Sequence, residues 1–204
     1  MGTDIHTVVQ VLRDGKWVTV AKDVATDRDY SLFAILAGVR NGYGFAGIPT
    51  GDAVKPISEP RGLPDDFLMD EEEDYLGDHS HSWLLLSEMN DYANHNALAN
   101  VGKTGVISLE HYLELKEQGL TRYTQPKEWC GAISGRDIVT LSVDEVEEAL
   151  TKCMPFLPGK VYVQYNWIVS LIKFSRLAEV IDEIYAEASE EDPKNIRFVF
   201  GFDS

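Results

Sequence analysis

Residues 161–202, with the sequence VYVQYNWIVSLIKFSRLAEVIDEIYAEASEEDPKNIRFVFGF, decide the fold. The first five of them alternate in the way that a half-buried strand does. Residues 196–202 alternate again after Pro193, so that a second strand ends the chain. Between the two strands, apolar side chains recur at helical spacing over about five turns and predict a core helix. These side chains are Ile168, Leu171, Phe174, Leu177, Ala178, Ile181, Ile184 and Tyr185.

The amino-terminal segment predicts a β-hairpin followed by a helix that packs on it. Residues 5–20 alternate loosely on both sides of Asp14-Gly15, a dipeptide that is typical of tight hairpin turns. Asp27 or Asp29 can then cap a helix that ends near Asn41-Gly42. The apolar stripe of this helix consists of Leu32, Phe33, Ile35, Leu36 and Val39.

Two shorter helices and the overall order of elements give the fold class. Ser108 precedes one helix, and the capping box at 142–145 precedes the other. We predict a single α+β domain over residues 1–204, with a mixed, largely antiparallel sheet packed by helices. This sheet contains the amino-terminal hairpin and the carboxy-terminal strand. If the terminal strand lies at a sheet edge, it can pair between subunits of a homo-oligomer; the alternative is an interior strand.

A long loop interrupts the chain at about residues 42–80. Residues 42–64 contain nine Gly and Pro residues, which prevent a long helix or a central strand. Residues 65–78 then contain eight acidic residues and no basic one, a run that repels itself and is usually solvated. Loops of this length are often functional, so we expect this one to carry binding residues.

Composition excludes several classes of function. The net charge is −16, from 34 acidic against 18 basic residues, and no basic cluster offers a footprint for nucleic-acid phosphates. The start of the chain lacks a basic segment leading into an apolar run, and no stretch approaches the roughly 20 apolar residues of a membrane span. Cys130 and Cys153 have the spacing of neither a zinc site nor a redox pair, so we expect reduced thiols. These features predict a cytoplasmic protein that binds neither nucleic acid nor membrane.

Five segments together resemble an uncharacterised family that occurs in bacterial and bacteriophage genomes. They cover both ends of the chain and parts of its first half, whereas residues from about 90 to 159 have no counterpart. The resemblance implies no activity, because none is known for the family; a phage origin would place the protein in the host cytoplasm. The segments are DIH at 4–6, YSLFAILAGVRN at 30–41, RGLPDD at 61–66, DHSHSW at 78–83 and IRFVFGFD at 196–203.

Two pairs of residues suggest a divalent-metal site. Asp4 and His6, and likewise His79 and His81, are two positions apart, so each pair shares one face of an extended strand. Four such ligands could hold an ion that activates water against a phosphoester or amide, with Asp65 as a further ligand or catalytic base. The alternative is structural: His6 bonds to a backbone carbonyl, and His79 and His81 pack beside a capped turn.

Two arginines are candidates for binding an anionic group. Arg61 lies on the Gly/Pro-rich loop, and Arg40 lies at the end of the first helix, where its guanidinium can join that of Arg61. The alternative for Arg61 is an ion pair with Asp65 that stiffens the loop. No glycine motif of the P-loop or dinucleotide type accompanies them, so dependence on ATP or NAD has no support.

Two hypotheses for function follow from these features. The first is a small-ligand binding protein, for a phosphorylated or nucleotide-like anion, or a metal-dependent hydrolase of such a ligand. In it, Asp4, His6, His79 and His81 bind the metal, Asp65 is catalytic, and Arg61 and Arg40 bind the ligand. The second is a non-enzymatic phage inhibitor of host takeover or anti-defence type, whose acidic segment 65–78 occupies the basic surface of a host protein.

Overall fold

The computed structural model describes residues 2–67, 75–156, 159–189 and 191–203. It has the α+β class that the sequence predicts, with helices packed against two mostly antiparallel sheets. Its strands are β1 Asp4–Arg13, β2 Lys16–Lys22, β3 His79–Leu85, β4 Asn100–Ser108, β5 Val139–Ser142, β6 Val161–Ser170 and β7 Ile196–Asp203. Its helices are α1 Tyr30–Ala37, α2 Leu86–His95, α3 Leu109–Glu117, α4 Val143–Thr151, α5 Leu171–Phe174 and α6 Leu177–Glu187.

The first sheet has the strand order β2-β1-β7-β3, and every pair in it is antiparallel. The carboxy-terminal strand β7 therefore lies in the interior, between β1 and β3. Phe198, Phe200 and Phe202 are all 0% exposed on one face of β7, which we call the helix face. The Phe33 ring of α1 lies 5.1 Å from the Phe202 ring on this face. Intersubunit pairing through an edge position of this strand is thus wrong, because both of its sides are already hydrogen-bonded.

The second sheet has the order β4-β6-β5, with β4 antiparallel and β5 parallel to β6. Residues from about 90 to 159 supply two of its three strands, and β4 is an element that the sequence pattern did not identify. The single mixed sheet of the prediction is therefore divided in two. One connected cluster of buried apolar side chains contains residues of both sheets, including Val9 and Phe200 from the first and Val163 and Trp167 from the second.

The long predicted core helix is shorter than its apolar spacing suggested. Strand β6 continues to Ser170, so residues that were assigned to the helix start belong to the strand. The helical part then divides into α5 and α6 at Ser175 and Arg176. Arg176 has a φ of 54°, a left-handed conformation that an α-helix cannot contain. The strand buries Trp167 and Val169 and leaves Ile168 only partly buried, so the helical spacing counted from Ile168 did not mark the true start of the helix. Among the described residues, no helix has the length and apolar character needed to cross a membrane.

Gly201 allows the loop before β3 to approach the first sheet closely. The opposite face of this sheet, which we call the loop face, carries Val8 and Val199, packed against Leu76. A Cβ atom on Gly201 would lie 2.0 Å from the Leu76 carbonyl oxygen and 2.6 Å from His81 Cδ2. Backbone cannot yield to such overlap as a flexible side chain can, so only glycine fits this position.

We expect Gly201→Ala to lower the free energy of unfolding by about 3 kcal/mol, as overpacking of a buried site does. Urea denaturation measures this loss. Gly15→Ala is the matched control, because Gly15 has a φ of 75° but no atom within 4 Å of the added Cβ. It should cost only about 1 kcal/mol, the backbone strain alone. Equal losses in the two variants would show that the close approach at Gly201 does not exist.

Candidate functional site

The predicted histidine segments lie on the two strands that flank β7. His6 on β1 is the register partner of Gly201, and the His81 ring lies over the same glycine from β3. Register partners in an antiparallel pair share a face, so His6 and His81 both lie on the loop face. The His6 ring also makes an edge contact with the Tyr75 ring, with centroids 4.7 Å apart.

His79 and His81 do not share a face, contrary to the expectation from their spacing. The pairing of β3 with β7 contains a bulge between His79 and Ser82, and Ser80 has a φ of 52°. The extra residue reverses the alternation, so His79 pairs with Phe202, and their rings stack at 6.1 Å on the helix face. A bulge of this kind shifts every side chain before it to the other side of the sheet. The predicted His-x-His pair is therefore divided between two faces.

The other predicted metal ligands have protein partners. Asp4 accepts two hydrogen bonds from Arg28, at 2.7 and 2.6 Å, and this guanidinium lowers the pKa of the Asp4 carboxyl below its ordinary value. His6 Nε2 lies 3.0 Å from an Asp203 carboxylate oxygen, and His81 Nε2 lies 3.1 Å from the Gly77 carbonyl oxygen. The described residues contain no group of three or more His, Cys, Asp or Glu side chains that could hold a metal ion. Metal binding by Asp4, His6, His79 and His81 stays a prediction.

Arg61 is held by Glu88. Its Nη1 and Nη2 atoms donate to the two carboxylate oxygens of Glu88 at 2.9 and 2.6 Å, and the guanidinium lies 5.0 Å from the centre of the Trp83 ring. The predicted Asp65 clamp is thus replaced by a Glu88 clamp that joins the loop to the start of α2. Glu88 also accepts a hydrogen bond from the Leu85 backbone N–H at 2.8 Å.

The acidic segment 65–78 is described only at its two ends, because residues 68–74 lie outside the described ranges. Asp65, the predicted catalytic residue, is exposed in a turn. Its neighbour Asp66 pairs with Arg197, with a 2.7 Å distance from Asp66 Oδ1 to Arg197 Nη1. The predicted roles of Asp65 in catalysis, of Arg61 in ligand binding and of this segment in binding a basic protein stay predictions.

A cavity of about 690 Å³ lies at the N-terminal end of α1, away from the histidines. Its wall includes Asp29 and Ser31 from the start of α1, Lys103 from β4 and Phe174 from α5. Arg40, one of the two predicted ligand-binding arginines, also lines it, whereas Arg61 does not. Arg40 Nε donates to Thr3 Oγ1 at 2.9 Å, and its guanidinium lies 5.8 Å from the centre of the Tyr30 ring.

One side of the cavity is formed by residues 41–54, which we call the arm. The Asn41 side chain closes its base, because its amide accepts from the Val54 N–H at 2.7 Å and donates to the Val54 carbonyl at 2.6 Å. The arm then folds back on itself through a bridge between Tyr43 and Pro49. Its return segment hydrogen-bonds to β4, where Thr104 N–H donates to the Thr50 carbonyl at 3.0 Å. The glycine-rich residues 41–54 thus form an ordered wall of the cavity, and the function expected of this loop stays a prediction.

Lys103 projects into the cavity from the inner face of the second sheet. It is the register partner of Trp167, which is 1% exposed, so both side chains lie on the buried side of the sheet. Lys103 Nζ donates to Ser31 Oγ at 2.9 Å and lies 4.6 Å from the centre of the Phe174 ring. The Lys103 ammonium makes no ion pair with a carboxylate of the described residues. Burial lowers the pKa of this amine below the ordinary lysine value, against the opposing effects of Asp29 and Asp52.

Asp29 begins α1 at the wall of the same cavity. Its Oδ1 atom accepts from the Ser31 and Leu32 N–H groups at 2.8 and 3.1 Å, which caps the helix. Burial raises the pKa of the Asp29 carboxyl above its ordinary value, although these two hydrogen bonds oppose the shift. The cavity therefore contains an acid whose pKa is raised and an amine whose pKa is lowered, a combination that is enriched at functional sites.

Aromatic rings surround the opening of the cavity. Tyr43 and Phe45 on the arm are 51% and 59% exposed, and Trp129 opposite them is 37% exposed. The Trp129 ring packs edge-on against the Trp167 ring, with centroids 5.2 Å apart. Exposed aromatic side chains that line one cavity provide stacking surfaces for a planar group.

Lys103 was not among the binding residues that the sequence predicted. The residues of β4 alternate, and Lys103 falls in the same set as Val101, Gly105 and Ile107. A lysine in the apolar set of an alternating strand is unusual, because buried lysines are rare without a partner. That signal was present in the sequence, but it becomes visible only when the segment is assigned to a strand.

Comparisons of this chain with models of protein families, with curated proteins and with solved structures found no match. The resemblance to a bacterial and bacteriophage family stays a prediction. Only the geometry of the site therefore indicates a function for this chain.

We expect Glu88→Gln to lower the free energy of unfolding by about 1 kcal/mol at neutral pH, because it removes a charge-assisted bond to half-buried Arg61. Arg61 lowers the pKa of Glu88 below its ordinary value of 4.5. The stabilisation is therefore complete above this ordinary value and is lost as the pH falls through the lowered one. Denaturation at several pH values should show that the difference between the proteins disappears in acid. The control Glu148→Gln, in an exposed pair with Lys152, should change nothing; an equally silent Glu88→Gln would contradict the clamp.

We expect Lys103→Met to raise the free energy of unfolding of the ligand-free protein by about 1 kcal/mol at neutral pH, as replacements at strained functional positions do. Methionine keeps the contact with Phe174 and removes an unpaired half-buried charge. The unfolded state binds the lysine proton more tightly, so wild-type stability rises with pH between the lowered pKa and the ordinary value of 10.5. The difference in free energy of unfolding between Lys103→Met and the wild type should therefore decrease as the pH rises over this interval. Lys173→Met, at an exposed neighbour of Phe174, is the control; destabilisation by Lys103→Met would contradict the account.

Proposed function

We propose that this protein binds a small anionic ligand, phosphorylated or nucleotide-like, in the cavity between α1, the arm and β4. The observation that carries the proposal is the half-buried ammonium of Lys103, which has a hydroxyl and an aromatic ring as neighbours and no carboxylate partner in the described residues. Leaving a charge unpaired in a partly buried place costs free energy. An anionic group of a ligand would remove that cost, and the ligand would gain a charge-assisted hydrogen bond.

The charge of the cavity wall supports an anionic ligand. The whole chain has 34 acidic and 18 basic residues, yet the wall contains four basic side chains against three acidic ones. The basic ones are Arg28, Arg40, Lys103 and Arg176, and the acidic ones are Asp27, Asp29 and Asp52. Arg28 pairs with Asp4, and Arg176 pairs with Asp27 and Glu179. The ammonium of Lys103 makes no ion pair among the described residues, so it is a charge that can attract an anion to this cavity.

The size and lining of the cavity support a ligand with a planar ring. A volume of about 690 Å³ falls within the range of ordinary small-molecule sites, roughly 300–1,000 Å³. Tyr43, Phe45 and Trp129 offer exposed ring faces at the opening, while Lys103 lies inside. A nucleotide has both required parts: a base that stacks on aromatic side chains and a phosphate that accepts hydrogen bonds from an ammonium.

The proposal covers binding and leaves hydrolysis as a separate prediction. None of Asp4, His6, His79 and His81 lines this cavity, although Asp4 orients Arg28, which does. A metal-dependent hydrolase would need these residues to act on a ligand bound elsewhere. The cavity has the volume and the lining of a binding site without these four residues.

Binding can be measured through the fluorescence of Trp129 at the opening of the cavity. Titration with adenosine, guanosine, cytidine and uridine 5′-monophosphates should give saturable changes for at least one of them. Lys103→Met should weaken that binding by about tenfold to a hundredfold, the effect of losing one hydrogen bond to a charged group. Removing the phosphate from the ligand should have the same effect, so the corresponding nucleoside should bind both proteins equally weakly.

Lys173→Met is the matched control, because it removes an exposed ammonium from α5, next to Phe174, and Lys173 does not line the cavity. It should bind the nucleotide as the wild type does. The proposal fails if none of the four nucleotides binds, or if Lys103→Met and Lys173→Met bind equally well.

A further inference from the structure

Lys103 has the surroundings of an amine that reacts as well as binds. Its Nζ atom is fixed at 2.9 Å from Ser31 Oγ and at 4.6 Å from the centre of the Phe174 ring. It faces a cavity of about 690 Å³, so a small molecule can reach it. A fixed, accessible amine with an apolar neighbour and no carboxylate partner among the described residues is the arrangement that Schiff-base lysines share.

We propose that Lys103 condenses with an aldehyde or ketone that carries an anionic group, and so forms an imine in this cavity. This inference rests on the proposed function, because the same cavity must first hold the anion. It also goes further, since it names a carbonyl compound as the class of ligand and Nζ as the atom that bonds to it. Ser31 is a positioning residue in this account, because its hydroxyl orients the amine.

The reaction balances without any further reactant. The ammonium of Lys103 gives one proton to water, and the free amine attacks the carbonyl carbon to form a carbinolamine. The carbinolamine oxygen then takes up a proton and leaves as water while the carbon–nitrogen double bond forms. When the imine nitrogen is protonated, the net change is one ammonium and one carbonyl to one iminium and one water. The single positive charge is kept, so the anionic group of the ligand has a partner before and after reaction.

The direction of the Lys103 pKa shift agrees with this geometry. Burial lowers the pKa of its amine, and the free amine is the nucleophile in imine formation. Two charged groups act on it from other elements, Asp29 from the start of α1 and Asp52 from the arm. Arg176, from the segment before α6, lines the same cavity. The two carboxylates favour the ammonium, yet the effect of burial is larger.

The test uses pyridoxal 5′-phosphate, an aldehyde with a planar ring and a phosphate, at a concentration well below that of the protein. After reduction of the imine with borohydride, peptide mass spectrometry counts the label on each lysine. Lys103 should be labelled at least about tenfold faster than exposed lysines such as Lys55 and Lys173, because the cavity holds the phosphate-bearing aldehyde beside a positioned amine. Pyridoxal, which lacks the phosphate, should lose this preference for Lys103.

Two further experiments separate this inference from the proposed function. Lys103→Arg keeps a cation in the cavity but has no amine that forms an imine, so it should bind nucleotides and lose the fast labelling. A bound nucleotide should protect wild-type Lys103 from the aldehyde. Labelling of Lys103 at the rate of exposed lysines, with nucleotide binding intact, would overturn the imine alone. Failure of both nucleotide binding and labelling would overturn the proposed function as well.

Discussion

The constraint on which the first sheet depends is the interior position of β7. All but the last of its eight residues are buried, and it is hydrogen-bonded along both sides, to β1 and to β3. Strand pairing between the ends of the chain and its middle therefore fixes the sheet. Phe202 on its helix face packs against Phe33 of α1, and the position of α1 in turn places Asp29 and Ser31 at the wall of the cavity.

Strand β4 of the second sheet brings a positive charge to the cavity, and this charge makes no ion pair among the described residues. Lys103 reaches from β4 to the first turn of α1, so one side chain links the second sheet to this helix through a hydrogen bond to Ser31. Elsewhere the protein pairs arginines with carboxylates, as Arg61 with Glu88 and Arg197 with Asp66. The contrast gives the site its chemical character, because a half-buried ammonium whose contacts are a hydroxyl and an aromatic ring can also bind an anionic ligand.

Much of the fold could be predicted from the sequence, because it follows from local patterns. Asp14-Gly15, the cap at Asp29 and the capping box at Ser142 each determine a short segment, and the structure contains all three. The site could not be predicted in the same way, since a bulge at Ser80 reverses the face of His79 without any sign in the residue spacing. Arg61 similarly finds Glu88, a partner 27 positions away, in place of the nearby Asp65. Long-range pairing decides such contacts, and only the three-dimensional structure contains it.

The most direct test of this account is the titration of the Lys103 side chain, followed by nuclear magnetic resonance in protein labelled at its lysine nitrogens. Lys103→Arg identifies the resonance by its loss. In the ligand-free protein, Lys103 should titrate at a lower pH than the exposed lysines, and a bound nucleotide should raise its pKa, because the phosphate stabilises the ammonium. A Lys103 that titrates with the exposed lysines, and whose pKa is the same with and without nucleotide, would contradict the central claim.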